Sequence, residues 1–188
     1  MKKLFLLLTA VLVICVVGIV QPVAAETLRV GAECTYFPFN YRGDDGVLTG
    51  YDIDVATGIA ESIGADIEFV CQKWDGMIPA LLANKFDLIA ASMSITEKRL
   101  KKMSFSIPYR ISVGQFVGRK SANLNLFDSD GNPIPANFKD VKVGLERAST
   151  YEDWITAKVP NATLLYYDTN EALYLDLQNG RTDVIISP

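Results

Sequence analysis

The sequence predicts an α/β fold in which mostly parallel sheets are flanked by helices. Between residues 27 and 187, short apolar runs typical of strands alternate with segments whose apolar residues recur at helical spacing. Gly64 and Gly180 follow two of these segments, and glycine commonly ends a helix. Because parallel strands need crossover connections, usually helices, the alternation favours parallel sheets.

The first part of the chain is expected to form strands joined by helices. In order, the predicted elements are a strand over 27–32, a loop over 33–50, a helix over 52–63, a strand over 67–70, a helix over 75–84 and a strand over 87–90. Asp52 and Asp75 stand where the two helices start. Aspartate is a common N-cap residue, so we expect both to cap.

The pattern changes after Tyr109. An extended strand over 113–118 and a polar, turn-rich segment over 122–137 precede a second alternation. Its predicted elements are a strand over 141–145, a helix over 151–158, a strand over 164–167, a helix over 170–179 and a strand over 184–187. We therefore expect two lobes, over 26–111 and 112–188, with a ligand cleft where the carboxyl ends of their strands meet.

Residues 1–25 have the composition of a secretory signal peptide. Lys2 and Lys3 precede an apolar run over 4–20, and small residues stand before Glu26. A membrane anchor is the competing interpretation, since a run of this length is just sufficient to span a bilayer. The proline and the small residues after the run favour cleavage, so we expect an exported protein.

Composition excludes several kinds of function. The formal net charge is −4 at pH 7 and no basic run stands out, so we expect no nucleic-acid partner. The chain has no histidine, which removes histidine-activated nucleophiles and the usual zinc sites. We therefore expect neither a metal nor a cofactor.

Cys34 and Cys71 are the cysteines that follow the signal segment, and each comes after a short apolar run. If these two runs are neighbouring strands of one parallel sheet, both thiols end at the same edge. Export to an oxidising compartment permits a disulfide between them. Two free thiols fit the sequence equally well, because pairing requires close Cα atoms.

The run FDLIAASMSITEKR, residues 86–99, is the strongest indication of a binding site. An apolar strand ends in small hydroxyl residues, including Ser92 and Ser94, and Arg99 falls in the first turn of a charged helix. Hydroxyls, helix-start N–H groups and a guanidinium together suit a small carboxylate. A capping box of Ser94 and Glu97 is an alternative that needs no ligand.

Ser149 and Thr150 form a second hydroxyl pair, a few residues after the predicted strand over 141–145. They would face the first cluster across the cleft if both lobes present their strand ends to one ligand. The alternative is that they only cap the helix that follows.

Several stretches of the chain occur together in the order of one known family. They are LRVGAECTYFPFNY (28–41), LTGYDIDVATGIA (48–60), WDGMIPALLANKFDLIAASMSITEKR (74–99), FSIPY (105–109), VKVGLERASTYEDW (141–154) and NGRTDVIIS (179–187). In these stretches the chain resembles the periplasmic solute-binding proteins of ABC transporters, in the branch that binds polar amino acids. GYDID (50–54) and SMSITEKR (92–99) are the most specific matches.

The resemblance implies a type II periplasmic-binding-protein-like fold whose two lobes close over a ligand. It also implies the extracytoplasmic substrate-binding component of an ABC transporter. Such a protein is periplasmic and monomeric, is not an enzyme, and delivers a small polar amino acid to a membrane permease. A cationic ligand side chain is favoured, because Glu33 matches an acidic position that pairs with such groups.

The family's ligand-binding positions can be carried over onto this chain one by one. They fall on Glu33, Tyr36, Trp74, Ala91, Ser92, Ser94, Arg99, Ser149 and Thr150. Arg99, the two serines after the strand and Thr150 would hold the ligand's α-carboxylate. Tyr36 and Trp74 would sandwich its side chain, where a cationic tip gains roughly 0.5–2 kcal/mol from the rings.

The chain departs from the family in two ways. Pro188 stands where amino-acid-binding members have an aspartate that pairs with the ligand's α-amino group, and Ala91 stands where some members have serine. The family's chain also continues beyond this point and crosses back to the first lobe. The sequence is therefore expected to be a fragment that lacks the C-terminal part, and the alternative is an unusually short relative.

Two other functions stay open. Exported dehydratases that act on cyclohexadienyl acids such as arogenate resemble the family in fold. They need a general acid in the cleft, for which Glu33 and Glu146 are the candidates. The other function is a sensory ligand-binding module, which would require a separate signalling partner.

Overall fold

The computed structural model of the chain describes residues 26–187. The predicted signal peptide over 1–25 and the departure at Pro188 lie outside these residues. Within 26–187, no helix combines the length and the apolar character that crossing a membrane requires.

Strands and helices alternate along most of the described residues as predicted, but the segment over 33–50, predicted to be a loop, contains three short strands. The strands are β1 (Thr27–Ala32), β2 (Thr35–Tyr36), β3 (Asn40–Arg42), β4 (Leu48–Thr49), β5 (Asp66–Cys71), β6 (Leu88–Ile89), β7 (Gln115–Gly118), β8 (Lys142–Glu146), β9 (Thr163–Tyr167) and β10 (Val184–Ser187). The helices are α1 (Tyr51–Ile63), α2 (Met77–Leu82), α3 (Glu97–Leu100), α4 (Thr150–Lys158) and α5 (Asn170–Gln178). Short 3₁₀ turns cover Trp74–Gly76, Lys120–Ala122 and Pro135–Phe138.

The first sheet has the strand order β5-β1-β6, and its strand pairs are parallel. β1 pairs with β5 along its whole length and places Val30 and Ala32 in the core. The ring of buried Phe86 packs against Gly31, where an added Cβ would approach the ring to 2.6 Å. Glycine at this position therefore lets Phe86 close one face of the sheet and fixes β1 at its centre.

A small antiparallel sheet, β2-β3-β4, follows β1 directly. The parallel pairing of β1 with β5 brings Cys34 and Cys71 together, with their Cα atoms 5.6 Å apart, and the structure joins them in a disulfide. Of the two alternatives that the sequence left open, the structure therefore has the bridged one. The bridge ties the chain just after Glu33 to the end of β5.

The second sheet has the strand order β7-β10-β8-β9. Its last three strands pair in parallel, whereas β7 runs antiparallel to β10. On one side a cluster that includes Val143, Leu145 and Ile155 is almost fully buried, and on the other Leu173 of α5 packs against Ile185. β8 is therefore packed on both faces, and this packing fixes the position at which the loop after β8 begins.

Two predicted helix caps are wrong. α1 begins at Tyr51 with Gly50 as its cap residue, so Asp52 lies inside the first turn, where it is completely buried. The helix predicted to start after Asp75 begins only at Met77, after a 3₁₀ turn. This later start places Pro79 in the first turn of α2, where no backbone N–H is needed for the helical hydrogen bonds.

The predicted capping box of Ser94 and Glu97 is also wrong. The cap residue of α3 is Thr96, whose hydroxyl accepts a hydrogen bond from the backbone N–H of Arg99 at 3.2 Å. A single turn of helix starting at Glu97 leaves the Ser94 side chain outside the helix. The same cap fixes the backbone from which the Arg99 side chain projects.

Candidate functional site

A cavity of ≈ 50 Å³ lies at the carboxyl ends of strands from both sheets. The residues that line it are Glu33, Tyr36, Trp74, Ala91, Ser92, Ser94, Arg99, Glu146, Ser149, Thr150, Tyr151, Asn170 and Ile186. All the residues that the sequence predicts to bind a ligand are among them. The structure therefore brings together residues that lie more than a hundred positions apart in the chain.

Arg99 is a buried cation at one end of this cavity. Its side chain is 9% exposed, and its guanidinium donates a hydrogen bond to the Ser94 carbonyl oxygen at 2.9 Å. The guanidinium carbon also stands 5.3 Å from the centre of the Trp74 ring. Among residues 26–187, no carboxylate forms a salt bridge with it, and burial lowers the pKa of Arg99.

Ser149 and Thr150 approach Arg99's end of the cavity from the second sheet. Ser149 is the cap residue of α4, as the alternative interpretation predicted, but its hydroxyl makes no capping hydrogen bond. That hydroxyl oxygen is buried and has no partner among the described residues. Trp74 donates a hydrogen bond from its indole N–H to the Ala148 carbonyl oxygen at 3.3 Å, which holds this loop against the first half of the chain.

Glu33 and Glu146 bring two acids together within the same cavity. Both are buried, at 6% and 9% exposure, although they come from the ends of strands in different sheets. Thr35 donates a hydrogen bond from its hydroxyl to Glu33 Oε1 at 3.3 Å, and Asn170 donates one from its side-chain amide to Glu146 Oε2 at 3.1 Å. Glu146 Oε1 is left buried without a partner.

A proton shared between Glu146 and Glu33 would give that oxygen a partner. Two carboxylates can only accept hydrogen bonds, but a protonated Glu146 can donate one to Glu33. Burial, with the nearby charge of Glu33, raises the pKa of Glu146 to about 9. Burial also raises the pKa of Glu33, while its hydrogen bond with Glu146 opposes the shift, so the proton resides on Glu146.

Asp52 organises the wall that contains Ser92. Its carboxylate accepts hydrogen bonds from Asn40 Nδ2, Tyr109 OH and Ser92 Oγ, each at 2.8 Å. Ser92 has a positive φ of 49°, and its backbone N–H donates to the Tyr109 hydroxyl at 3.0 Å. Both polar groups of Ser92 are therefore occupied within the protein, whereas the sequence predicted that its hydroxyl faces a ligand.

Asn40 connects the hydrogen bonds of Asp52 to Glu33, one member of the acid pair. Its side-chain oxygen accepts hydrogen bonds from the backbone N–H groups of Glu33 and Cys34, each at 2.9 Å. Cys34 adopts a positive φ of 66°, which turns the chain sharply after β1. The position of Glu33 thus depends on contacts that lead back to buried Asp52.

The aromatic residues contribute the apolar part of the lining. Tyr36 is 8% exposed and packs against Phe39, with ring centres 4.9 Å apart, and burial raises the pKa of its hydroxyl. Trp74 is half-buried and lines the cavity beside the Arg99 guanidinium. Ala91, the position that some relatives fill with serine, is buried and places only its methyl group and backbone here.

The sequence missed four lining residues as site members. The sequence predicts Glu146 only as a general acid, and it predicts Tyr151, Asn170 and Ile186 only as parts of helices and strands. Glu146 and Ile186 lie in strands whose neighbours are apolar, and Asn170 opens a helix. A charged residue at the end of a strand that is otherwise buried is the one signal that could have identified Glu146.

The chain is similar in sequence to a family of solute-binding proteins and to named members of it. Residues 28–153 match the profile of the bacterial extracellular solute-binding proteins, family 3. The L-cystine-binding protein TcyJ of Escherichia coli (strain K12) is 35% identical over 160 residues, which cover 85% of this chain and 58% of that protein. The L-arginine-binding protein of Pseudomonas aeruginosa is 32% identical over 189 residues, which cover 100% of this chain and 70% of that protein.

A solved structure extends the likeness to the fold. An ancestral arginine-binding protein bound to arginine superposes with a TM-score of 0.79 at 32% sequence identity, covering 87% of this chain and 70% of that chain. The predicted α/β fold of the periplasmic binding proteins is thereby confirmed. The present chain spans about three-fifths of the length of the cystine-binding relative.

The buried network around Asp52 predicts a position-specific loss of stability. We expect Asp52→Ala to lower the free energy of unfolding by about 3 kcal/mol, because three donors lose a buried acceptor. Asp54→Ala is the matched control, since Asp54 lies in the same first turn of α1 but is exposed, and it should cost less than about 1 kcal/mol. Urea denaturation measures both, and equal losses would contradict the role given to Asp52.

The raised pKa of Glu146 predicts how stability depends on pH. Between about pH 4.5 and 9, the folded protein holds a proton on Glu146 that the unfolded chain has released. The free energy of unfolding should therefore fall as pH rises through this window, by up to about 1.4 kcal/mol per pH unit. Urea denaturation at several pH values should give a flatter profile for Glu146→Gln, and an unchanged profile would refute the shared proton.

Proposed function

The chain belongs to the bacterial extracellular solute-binding proteins, family 3, and we propose that it binds a polar amino acid in the cavity around Arg99. One observation carries this proposal. Arg99 is a buried guanidinium without a carboxylate partner among the described residues, in a cavity that opposes it with a buried, unpartnered hydroxyl. An unpaired buried charge is unfavourable, so a ligand that supplies a carboxylate is stabilised there.

In this proposal the α-carboxylate lies between Arg99 and the start of α4. Arg99 donates to it from the first half of the chain, and the Ser149 and Thr150 hydroxyls donate from the second, together with backbone N–H groups at the helix start. Ser94 and the backbone at Ala91 complete the first side. The Ser92 hydroxyl joins only if it leaves Asp52, so its part is to shape the wall.

The ligand side chain would then extend toward the acids. Tyr36 and Trp74 line its path with aromatic surface, which suits an aliphatic stem. Glu33 stands at the far end, where a cationic tip would find a partner, so we propose a preference for cationic amino acids. The arginine-binding relative is named for such a ligand, whereas the cystine-binding relative is not.

Ligand entry would require the two halves of the chain to move apart. A cavity of ≈ 50 Å³ has room for about three to five water molecules, which is less than an amino acid needs. Salt bridges that join the halves, Lys73–Asp168 at 3.4 Å and Lys98–Asp153 at 3.8 Å, are exposed and therefore weak. We propose that residues 26–111 and 112–188 act as two lobes with a hinge between them.

We propose that the exported protein captures its amino acid in the periplasm and delivers it to an ABC permease. The relatives described above are named as binding proteins, and we infer that this chain likewise binds its ligand without transforming it.

A dehydratase is the second candidate function, and one observation favours it. Glu146 is a protonated acid in the cleft, which is what a general acid requires. The distinguishing measurement is turnover of prephenate or arogenate by the purified protein. We expect none, and measurable turnover that Glu146→Gln abolishes would replace binding with catalysis.

Arg99→Ala tests the proposed function directly. We expect it to weaken binding of the preferred amino acid by at least about 100-fold, because it removes the charge that opposes the ligand's carboxylate. A thermal-shift panel of the natural amino acids identifies the ligand, and calorimetry then gives the affinities. Lys120→Ala is the control, since Lys120 is an exposed cation outside the cavity.

Two results would overturn the proposal. One is a wild-type protein whose melting temperature responds to no amino acid at concentrations far above a typical dissociation constant. The other is an Arg99→Ala variant that folds normally and binds the same ligand as tightly as the control.

A further inference from the structure

Glu146 is the one charged cavity residue that the family resemblance did not assign to a ligand. It is buried to 9% exposure at the end of β8, with one carboxyl oxygen held by Asn170 and the other without a partner. Glu33 faces it from the end of β1. Two acids from opposite sheets therefore meet at a point where the described residues provide no cation.

We propose that Glu33 and Glu146 act as a pair that binds the positive charge of the ligand, and that a cationic amino acid displaces the proton they share. This inference rests on the proposed function and deepens it. The proton passes from the Glu146 carboxyl to the solvent when the cation arrives. No other bond forms or breaks, so binding and proton release are one equilibrium.

Charge balance in the cavity supports this coupling. With the proton in place, Arg99 and the ionised Glu33 cancel, so the cavity is neutral and matches a zwitterionic amino acid. With the proton gone, Glu146 is also ionised, and the cavity carries one net negative charge that matches a cationic amino acid. An ammonium or guanidinium group beside the pair favours the ionised form of both acids.

No charged group among the described residues around the acid pair neutralises it, so the proposed cation has to come from the ligand. The titratable and charged groups that face it from the elements packed around it are Tyr36, Asp75, Arg99, Arg110, Tyr151, Glu171 and Tyr174. The acids and tyrosines in this set favour the protonated pair. Arg99 donates a hydrogen bond to the Ser94 carbonyl oxygen, and Arg110 stacks on the Phe39 ring at 3.9 Å. Neither forms a salt bridge with Glu33 or Glu146.

Calorimetric titration in buffers of different ionisation enthalpy counts the protons released on binding. Near pH 7, we expect L-arginine to release about one proton per molecule bound and L-glutamine to release almost none. The dissociation constant for L-arginine should fall by up to about tenfold per unit rise in pH below the pKa of the pair. The constant for L-glutamine should stay nearly constant over the same range.

Glu146→Gln keeps the size of the side chain and removes the proton exchange. We expect this variant to bind L-arginine at least about tenfold more weakly and without proton release. Glu61→Gln, an exposed substitution on α1, should leave both the proton count and the affinities unchanged.

The outcomes separate this inference from the proposed function. If L-arginine binds the wild-type protein without releasing protons, or if Glu146→Gln still releases them, the acid pair is not the cation site. If L-glutamine binds and L-arginine does not, amino-acid binding stands and the paired-acid inference falls. If no amino acid binds at all, both fall together.

Discussion

The buried carboxylate of Asp52 is the contact on which the first half of the cavity depends. It joins α1 to Tyr109, to Ser92 and to Asn40, and Asn40 in turn holds the backbone at Glu33. These partners come from segments that are far apart in sequence. A buried charge of this kind is tolerated only when its hydrogen bonds are satisfied, so the segments have to meet in one arrangement. The geometry of the cavity wall follows from that requirement.

The cavity itself combines a buried cation that has no carboxylate partner among the described residues with a pair of buried acids. Arg99 at one end lacks a carboxylate, while Glu33 and Glu146 at the other lack a cation. A folded protein gains nothing from either arrangement when the site is empty, since buried charges without partners are unfavourable. An α-amino acid carries both missing charges on one small molecule. The cavity therefore fits a ligand that carries a carboxylate for Arg99 and a positive group for the acid pair.

The sequence predicts the order of strands and helices and the position of Arg99, but it does not predict the contacts of Asp52 and Glu146. The alternation of elements and the run over 86–99 predicted the sheets and placed Arg99 in the first turn of a helix, because both follow from local periodicity. The role of Asp52 was missed because an aspartate at a helix start serves as a cap or as a buried acceptor, and only tertiary contacts decide between them. The sequence does not predict that Glu146 pairs with Glu33, because Glu33 follows a strand of another sheet, 113 positions earlier in the chain.

In the proposed function, Arg99 binds the carboxylate of an amino acid. Agmatine, which is arginine without its α-carboxyl group, separates this contact from every contact of the side chain. Calorimetric titration of the wild-type protein with L-arginine and with agmatine measures the difference. We expect L-arginine to bind at least about 100-fold more tightly than agmatine. Equal affinities for the two compounds would contradict it.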